Sequence, residues 1–451
     1  MNVSFLSDML SEITARGRRL IGAEGSGRGQ DILHLCDALL SGRGEASGVA
    51  IARDILDRYA TLDEGAQLAF FEALARNYGA DREKLAKAID QLNEAQDDDA
   101  VAAVHTASEP RRQELIRRLN LAQGGTAALV AMRTDLLVLT RAHPHLRGVD
   151  SDFARLFTAW FNRGFLMLQR IDWNTPAAIL ERIIRYEAVH EIHDWEDLRR
   201  RIDMPDRRLY AFFHPTLVDD PLIFVEVALT AEIPGAIAPI LATTRQPITP
   251  DDASTAVFYS ISNCQIGLRG ISFGNFLIKQ VVEELSREFP GLKTFVTLSP
   301  VPDFMRWLRQ EQAADRLSPE DAAIIDQLAR EDWRDDPKLH EQMRRALSAL
   351  AAQYFLRAKT ANGRPIDSVA RFHLGNGARL ERLNWLGDLS PKGLGQSAGL
   401  MVNYQYVLKD IEKNHEAFAN DGEVIAASAV KKLLRPVTQA ANNASQTAGS
   451  E

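Results

Sequence analysis

The sequence predicts an α+β protein: an all-α helical bundle at the N-terminus, followed by an α/β domain on a mostly antiparallel sheet. Three observations predict it. Residues 1 to about 170 carry periodic apolar segments and almost no strand signal. From Arg208 onward, apolar and β-branched residues alternate around a turn at Asp219-Asp220-Pro221. Between Ala256 and Phe304 an apolar run, a loop with three glycines, a strongly periodic segment and a second apolar run follow one another, the order strand, loop, helix, strand.

In the first part, segments 31–41, 47–60, 64–78, 82–94, 111–121 and 124–142 repeat apolar residues at helical spacing between Gly, Asp or charged breaks. Residues 95–109 (AQDDDAVAAVHTASE) are polar and read as a connection. The aromatic run Phe153–Leu168 is expected to cover an interface between domains or subunits. Next, Arg208–Thr216 and Leu222–Leu229 form a hairpin signal. Ala256–Ile261 reads as a strand, Phe273–Glu288 as a helix and Thr294–Leu298 as a short strand. Helical segments at 301–312, 319–330 and 336–357, a Gly-rich mixed stretch at 371–400 and a helical tail complete the chain. The expected domains are 1–170 and 171–439, with a small polar tail at 440–451.

Composition narrows the function classes. The 451 residues are 45% hydrophobic and 25% charged, enough to bury a sizeable core. A net charge of -8 argues against nonspecific nucleic-acid binding, which needs a basic surface. No run reaches the roughly 18 apolar residues of a membrane span. The N-terminal Phe5, Leu6, Met9, Leu10 and Ile13 are broken by Asp8 and Glu12, a helical pattern rather than a signal peptide. Cys36 and Cys264, far apart, read as buried thiols in a reducing compartment, and the expected location is the cytoplasm.

Three segments can carry chemistry. Gly267-Leu268-Arg269-Gly270-Ile271-Ser272-Phe273-Gly274 sits between strand and helix, where backbone N–H groups and a helix N-terminus favour an anion. It is neither a Walker loop nor a dinucleotide fingerprint, and a plain tight turn remains open. Gly270-Ile271-Ser272-Phe273-Gly274 also matches the G-x-S-x-G nucleophile elbow, which would make Ser272 a hydrolase nucleophile. Polar Ser262, Asn263 and Gln265 intervene after the strand, against that reading. Ser299, in Leu298-Ser299-Pro300-Val301-Pro302, is either a helix N-cap or a reactive hydroxyl, two compatible roles. His373 lies beside Phe372 and before Gly375-Asn376-Gly377, a packed histidine or a ligand-facing one. Spacing alone does not pair Ser299 with His373. His190 and His193, like His143 and His145, lack the further ligands a zinc site needs, so no metal is expected.

Together these segments resemble the malonyl-CoA decarboxylase family over nearly the whole chain. The resemblance is carried by Phe258–Ser262, Gln265–Gly270 with Gly274 and Phe276–Lys279, Leu298–Pro302, Phe372–Ala378, Arg382–Trp385 and residues 398–406 (AGLMVNYQY). It implies a helical domain joined to a GNAT-like acyl-CoA-binding catalytic domain. It implies that Arg269, Gly270, Ile271, Ser272, Phe273, Gly274 and Asn275 receive the CoA pyrophosphate. The GNAT pattern R/Q-x-x-G-x-G/A is met except that Ser272 replaces the middle glycine. The implied reaction is conversion of malonyl-CoA to acetyl-CoA and CO2 with no metal or organic cofactor, CoA being part of the substrate. The family's reactive pair falls on Ser299, orienting the malonyl group and accepting or relaying a proton, and His373, donating a proton. A histidine of ordinary pKa, near 6.5, supplies that proton around neutrality. Asn376 and Tyr404 are expected to support the pair. Self-association through the helical domain is expected. An acyl-CoA N-acyltransferase and a non-catalytic CoA-thioester scaffold are the alternatives.

Overall fold

The computed structural model describes residues 28–41, 45–271, 277–330 and 332–435. The expected tail at 440–451 lies outside them. Two compact units result. One gathers the described residues up to Met167 with Phe213–Leu222 and the described part of Gln265–Phe273; the other holds the remainder.

The first unit is all helix in its N-terminal part: Arg28–Leu40, Glu45–Tyr59, Glu64–Asn77, Arg82–Ala95, Asp98–Ser108, Arg111–Leu119, Gly125–Ala142 and Arg147–Trp160. Residues 98–108, expected as a connection, are a helix. Asp97 caps it by accepting from the Ala100 N–H at 2.8 Å, and its alanines pack without a strong apolar signal. The aromatic run is largely buried. Phe153, Phe157 and Phe161 recur every four residues, so they share one helix face and are fully buried inside this unit. Their rings meet edge-on, 5.7 Å apart. Phe165, just beyond, is exposed.

The second unit is built on a mixed sheet of eight described strands: β1 (Met167–Ile171), β2 (Arg207–Phe213), β3 (Ile223–Thr230), β4 (Thr255–Asn263), β5 (Thr294–Thr297), β6 (Ser299–Pro300), β7 (Arg379–Asn384) and β8 (Met401–Gln405). The order runs β1-β2-β3-β4-β5-β8. β5 and β6 share one edge of β8, through Val296↔Gln405 and Ser299↔Val402, and β7 takes the other. β2 and β3 form the expected antiparallel hairpin; β4 and β5 are parallel, joined across the helix Leu277–Glu288. β4 outruns its expected end at Ile261 because its buried polar residues have a partner. The Glu187 carboxylate accepts from the Ser260 hydroxyl at 2.7 Å and the Ser262 hydroxyl at 3.1 Å. Among the described residues no helix is long and apolar enough to cross a membrane.

One irregularity shapes the site. Glu226 pairs with Ser260 and Val227 with Phe258, so Tyr259 has no partner and bulges from β4. β4 pairs with β5 only from Thr255 to Phe258. Beyond that point the Leu298 N–H reaches the Phe258 carbonyl at 3.0 Å, and the strands part. Pro300, without an N–H, cannot extend the ladder toward β4.

Candidate active site

The parted strands leave a cleft of about 260 Å³, the size of a small acyl head group rather than a nucleotide. Phe258, Ile261 and Asn263 line it from β4, Ser299 and Pro300 from β6, and Val369, Phe372 and His373 from a third element. That element is the helix Ser368–Gly375. Asp367 caps it, accepting from the Ala370 N–H at 2.7 Å and from the Tyr354 hydroxyl at 3.0 Å. Burial pushes the Asp367 carboxyl up to about 6. A larger open groove of about 840 Å³ beside Pro234, Arg245 and Trp385 contains neither Ser299 nor His373.

Two candidates 74 positions apart meet in the cleft. Ser299 Oγ lies 3.1 Å from His373 Nε2, with both residues buried. The N-cap reading of Ser299 does not survive: Ser299 is in β6, and the next helix, Phe304–Ala313, starts after Asp303 with no side-chain cap. Beside the pair stand two groups. The Tyr406 hydroxyl is 2.8 Å from His373 Nδ1, and the Ser299 hydroxyl donates to Thr297 Oγ1 at 2.9 Å. Ser299 has a single proton, and Thr297 receives it. In that arrangement the Ser299–His373 bond is carried by a proton on Nε2. Nδ1 is then the lone pair, and Tyr406 donates to it. Burial pushes the imidazole down to about 3, so His373 is neutral near pH 7 rather than poised at the ordinary histidine value.

The other expected site residues are distributed unevenly. The Tyr404 ring stacks on the imidazole, centroids 4.6 Å apart and planes at 24°. The Asn376 amide instead closes the end of the His373 helix, Nδ2 donating to the Phe372 carbonyl at 2.8 Å, while its buried Oδ1 has no partner. Of the expected CoA loop, Arg269, Gly270 and Ile271 are described; Ser272, Phe273, Gly274 and Asn275 lie outside the described residues. The described part is docked on the helical unit. Arg133, held by Asp150 at 2.8 Å, donates through Nη1 to the carbonyls of Gly267 at 2.7 Å and Arg269 at 3.1 Å. Gly267 is obligatory there, since a Cβ would sit 1.9 Å from the Val130 carbonyl oxygen, and Gly270 turns the chain at φ +81. β4 ends at Asn263 and a 3-10 turn, Ile266–Leu268, follows, so the stretch carrying Ser272 does not leave a strand directly as a nucleophile elbow requires.

Residues that sequence reading missed are Thr297, Tyr406 and Arg133. Tyr406 carried a usable signal, alternating with Tyr404 on one face of a strand. Arg133 had none. Of the histidine pairs, His190 is half-buried with its Nε2 atom buried and unpartnered, its pKa pushed down to about 4 by desolvation. Among the described residues the one group with three potential metal ligands is Glu72, His143 and His145, in the helical unit; His145 already pairs with Glu72 at 3.5 Å.

Comparison with known proteins shows the family of the chain. The family profile described as malonyl-CoA decarboxylase C-terminal domain matches residues 164–444, and that described as its N-terminal domain matches 78–161. Mitochondrial malonyl-CoA decarboxylase of Anser anser anser is 34% identical over 417 residues, covering 84% of this chain and 82% of the relative. That of Rattus norvegicus is also 34% identical, covering 84% of each. Among solved structures, malonyl-CoA decarboxylase from Rhodopseudomonas palustris superposes with TM-score 0.87 at 59% identity, over 90% of this chain and 99% of that one. The enzyme from Agrobacterium vitis gives TM-score 0.85 at 58% identity, over 90% and 100%. With a profile spanning more than half its length and relatives matched nearly end to end, the chain belongs to the malonyl-CoA decarboxylase family.

Proposed function

We propose that this chain converts malonyl-CoA to acetyl-CoA and CO2 in the cleft between β4 and β6, with Ser299 and His373 as the reacting pair. The observation that carries the assignment is the 3.1 Å contact between Ser299 Oγ and His373 Nε2 at the mouth of the parted strands. The C–C bond to the carboxylate breaks, its electrons pass into the thioester carbonyl as an enolate, and one proton is delivered to the α-carbon. The thioester carbonyl is the electron sink, so the reading calls on no metal or organic cofactor. Ser299 orients the malonyl group and relays a proton; His373 donates it. In the free protein the imidazole is neutral. A malonyl carboxylate brought against it adds a negative charge in a poorly solvated cleft and raises its pKa, so substrate binding itself favours uptake of the proton the reaction consumes. Tyr404 supports the ring by stacking. Arg269 to Asn275 hold the CoA phosphates, and the Arg133 contacts to the Gly267 and Arg269 carbonyls support this reading.

Purified protein mixed with malonyl-CoA should release CO2 and leave acetyl-CoA. No release at any pH from 6 to 9 overturns the reading. His373→Ala should lower turnover by roughly 10²- to 10⁴-fold, the worth of a positioned general acid, with CoA affinity retained. Equal loss of both makes His373 structural. We further propose self-association through the helical unit, to be read by light scattering. A reducing location, the cytoplasm, suits the two free buried cysteines Cys36 and Cys264, and cell fractionation tests it.

A further inference from the structure

We infer that Thr297 is a positioning residue of the reaction, setting the direction in which the Ser299 and His373 protons point. The inference rests on the reading of Ser299 and His373 as the reacting pair.

β5 and β6 follow one register against β8, Val296 opposite Gln405 and Ser299 opposite Val402, yet between those pairs the backbone ladder is interrupted. Side chains bridge the gap. Thr297 Oγ1 accepts from the Tyr404 N–H at 3.1 Å, and Asn403 Nδ2 donates to the Thr297 carbonyl at 2.7 Å. Thr297 and Ser299 are two residues apart on an extended chain, so their side chains share one face. With its oxygen held by the Tyr404 amide and its β-branched side chain stiff at χ1, Thr297 presents a fixed acceptor 2.9 Å from Ser299 Oγ. Thr297 is fully buried, so no water competes for that bond.

The consequence is chemical. A serine beside a histidine normally gives its proton to the ring. Here Thr297 takes it, so Ser299 accepts from His373 and the ring keeps its proton on Nε2, the nitrogen facing Ser299 in the cleft. The pair is arranged to deliver a proton rather than to activate a serine nucleophile: once substrate binding has placed a second proton on Nδ1, the ring passes its Nε2 proton toward Ser299 and returns to the neutral form. The same Thr297 oxygen anchors the amide of Tyr404, whose ring stacks on the imidazole, so one hydroxyl positions both the partner of His373 and the plate beneath it.

The test is a mutant cycle in full-length protein. Thr297→Val keeps shape and removes the acceptor; kcat should fall about tenfold to a hundredfold, as for loss of a buried hydrogen bond, with KM for malonyl-CoA changed less than about twofold. Thr297→Ser should recover most of the loss. In a Ser299→Ala background Thr297→Val should cost much less than alone, because its principal effect passes through the Ser299 hydroxyl. Wild-type kcat in Thr297→Val, or a full additive loss in the double variant, overturns the role of Thr297 while the reacting pair stands. Wild-type kcat in Ser299→Ala overturns the pair itself. Should Thr297→Val not fold, ¹⁵N NMR of the His373 ring in the unmodified protein decides: the Nε2–H tautomer is required, and Nδ1–H refutes the inference.

Discussion

Replacing Tyr406 by Phe isolates the other bond that holds His373. The phenol oxygen lies 2.8 Å from Nδ1 and donates to it in the Nε2–H tautomer inferred above; both side chains are buried. Phe preserves the aromatic body, including its edge contact with Phe258 at 6.2 Å, so packing is kept and a single hydroxyl is lost. The Nδ1 lone pair is then left in a dry interior with no donor. An orphaned buried acceptor costs about 1–3 kcal/mol. The ring escapes that cost only by moving its proton to Nδ1, which turns Nε2 into an acceptor and forces Ser299 to abandon Thr297. Either way the productive arrangement is depopulated. At 1.36 kcal/mol per factor of ten, kcat should drop roughly 5- to 150-fold. Tyr406 does not line the cleft, so KM for malonyl-CoA should stay within about twofold. Initial rates of CO2 release against malonyl-CoA concentration separate the two constants. A kcat within twofold of wild type, or a loss carried by KM alone, refutes the tautomer argument.

Two further expectations concern pH and the loop. In the folded state the His373 imidazole titrates near 3, against about 6.5 when unfolded, so the unfolded chain binds the extra proton. The neutral ring's contribution to stability is therefore complete above about pH 6.5 and declines as pH falls toward 3; His190, pushed down to about 4, adds to the same trend. Urea midpoints at pH 7 and pH 5 should fall further for wild type than for His373→Phe, and equal falls count against it. Arg133→Met keeps the side-chain stem near Phe157 but deletes the donations to Gly267 and Arg269. It should raise KM for malonyl-CoA by roughly 10- to 150-fold with kcat less affected, in keeping with charged hydrogen bonds of about 1.5–3 kcal/mol; an unchanged KM dissociates Arg133 from CoA binding.

Much of the architecture was legible because it rests on local periodicity. The helices Glu64–Asn77, Arg82–Ala95, Arg111–Leu119 and Gly125–Ala142 and the Arg207–Thr230 hairpin repeat at periods that burial of one face imposes. Where side chains carried no apolar contrast the reading fell short: alanines hid the helix at Asp98–Ser108, and polar Ser262 and Asn263 hid the last two residues of β4, where the Ser262 partner, Glu187, lies far off in sequence.

The chain order alone yielded the fold class, the glycine turn and, through family likeness, the candidate pair Ser299 and His373. Periodicity and short motifs need only neighbours, so they can be read along a line. That Ser299 and His373 touch, that Thr297 and Tyr406 set where their protons lie, and that burial strips the ring of its charge came only from tertiary structure. Hydrogen bonds across 33 or 74 positions, and the dielectric around them, depend on which strands part and which helix closes over the gap, and one-dimensional spacing holds no record of either.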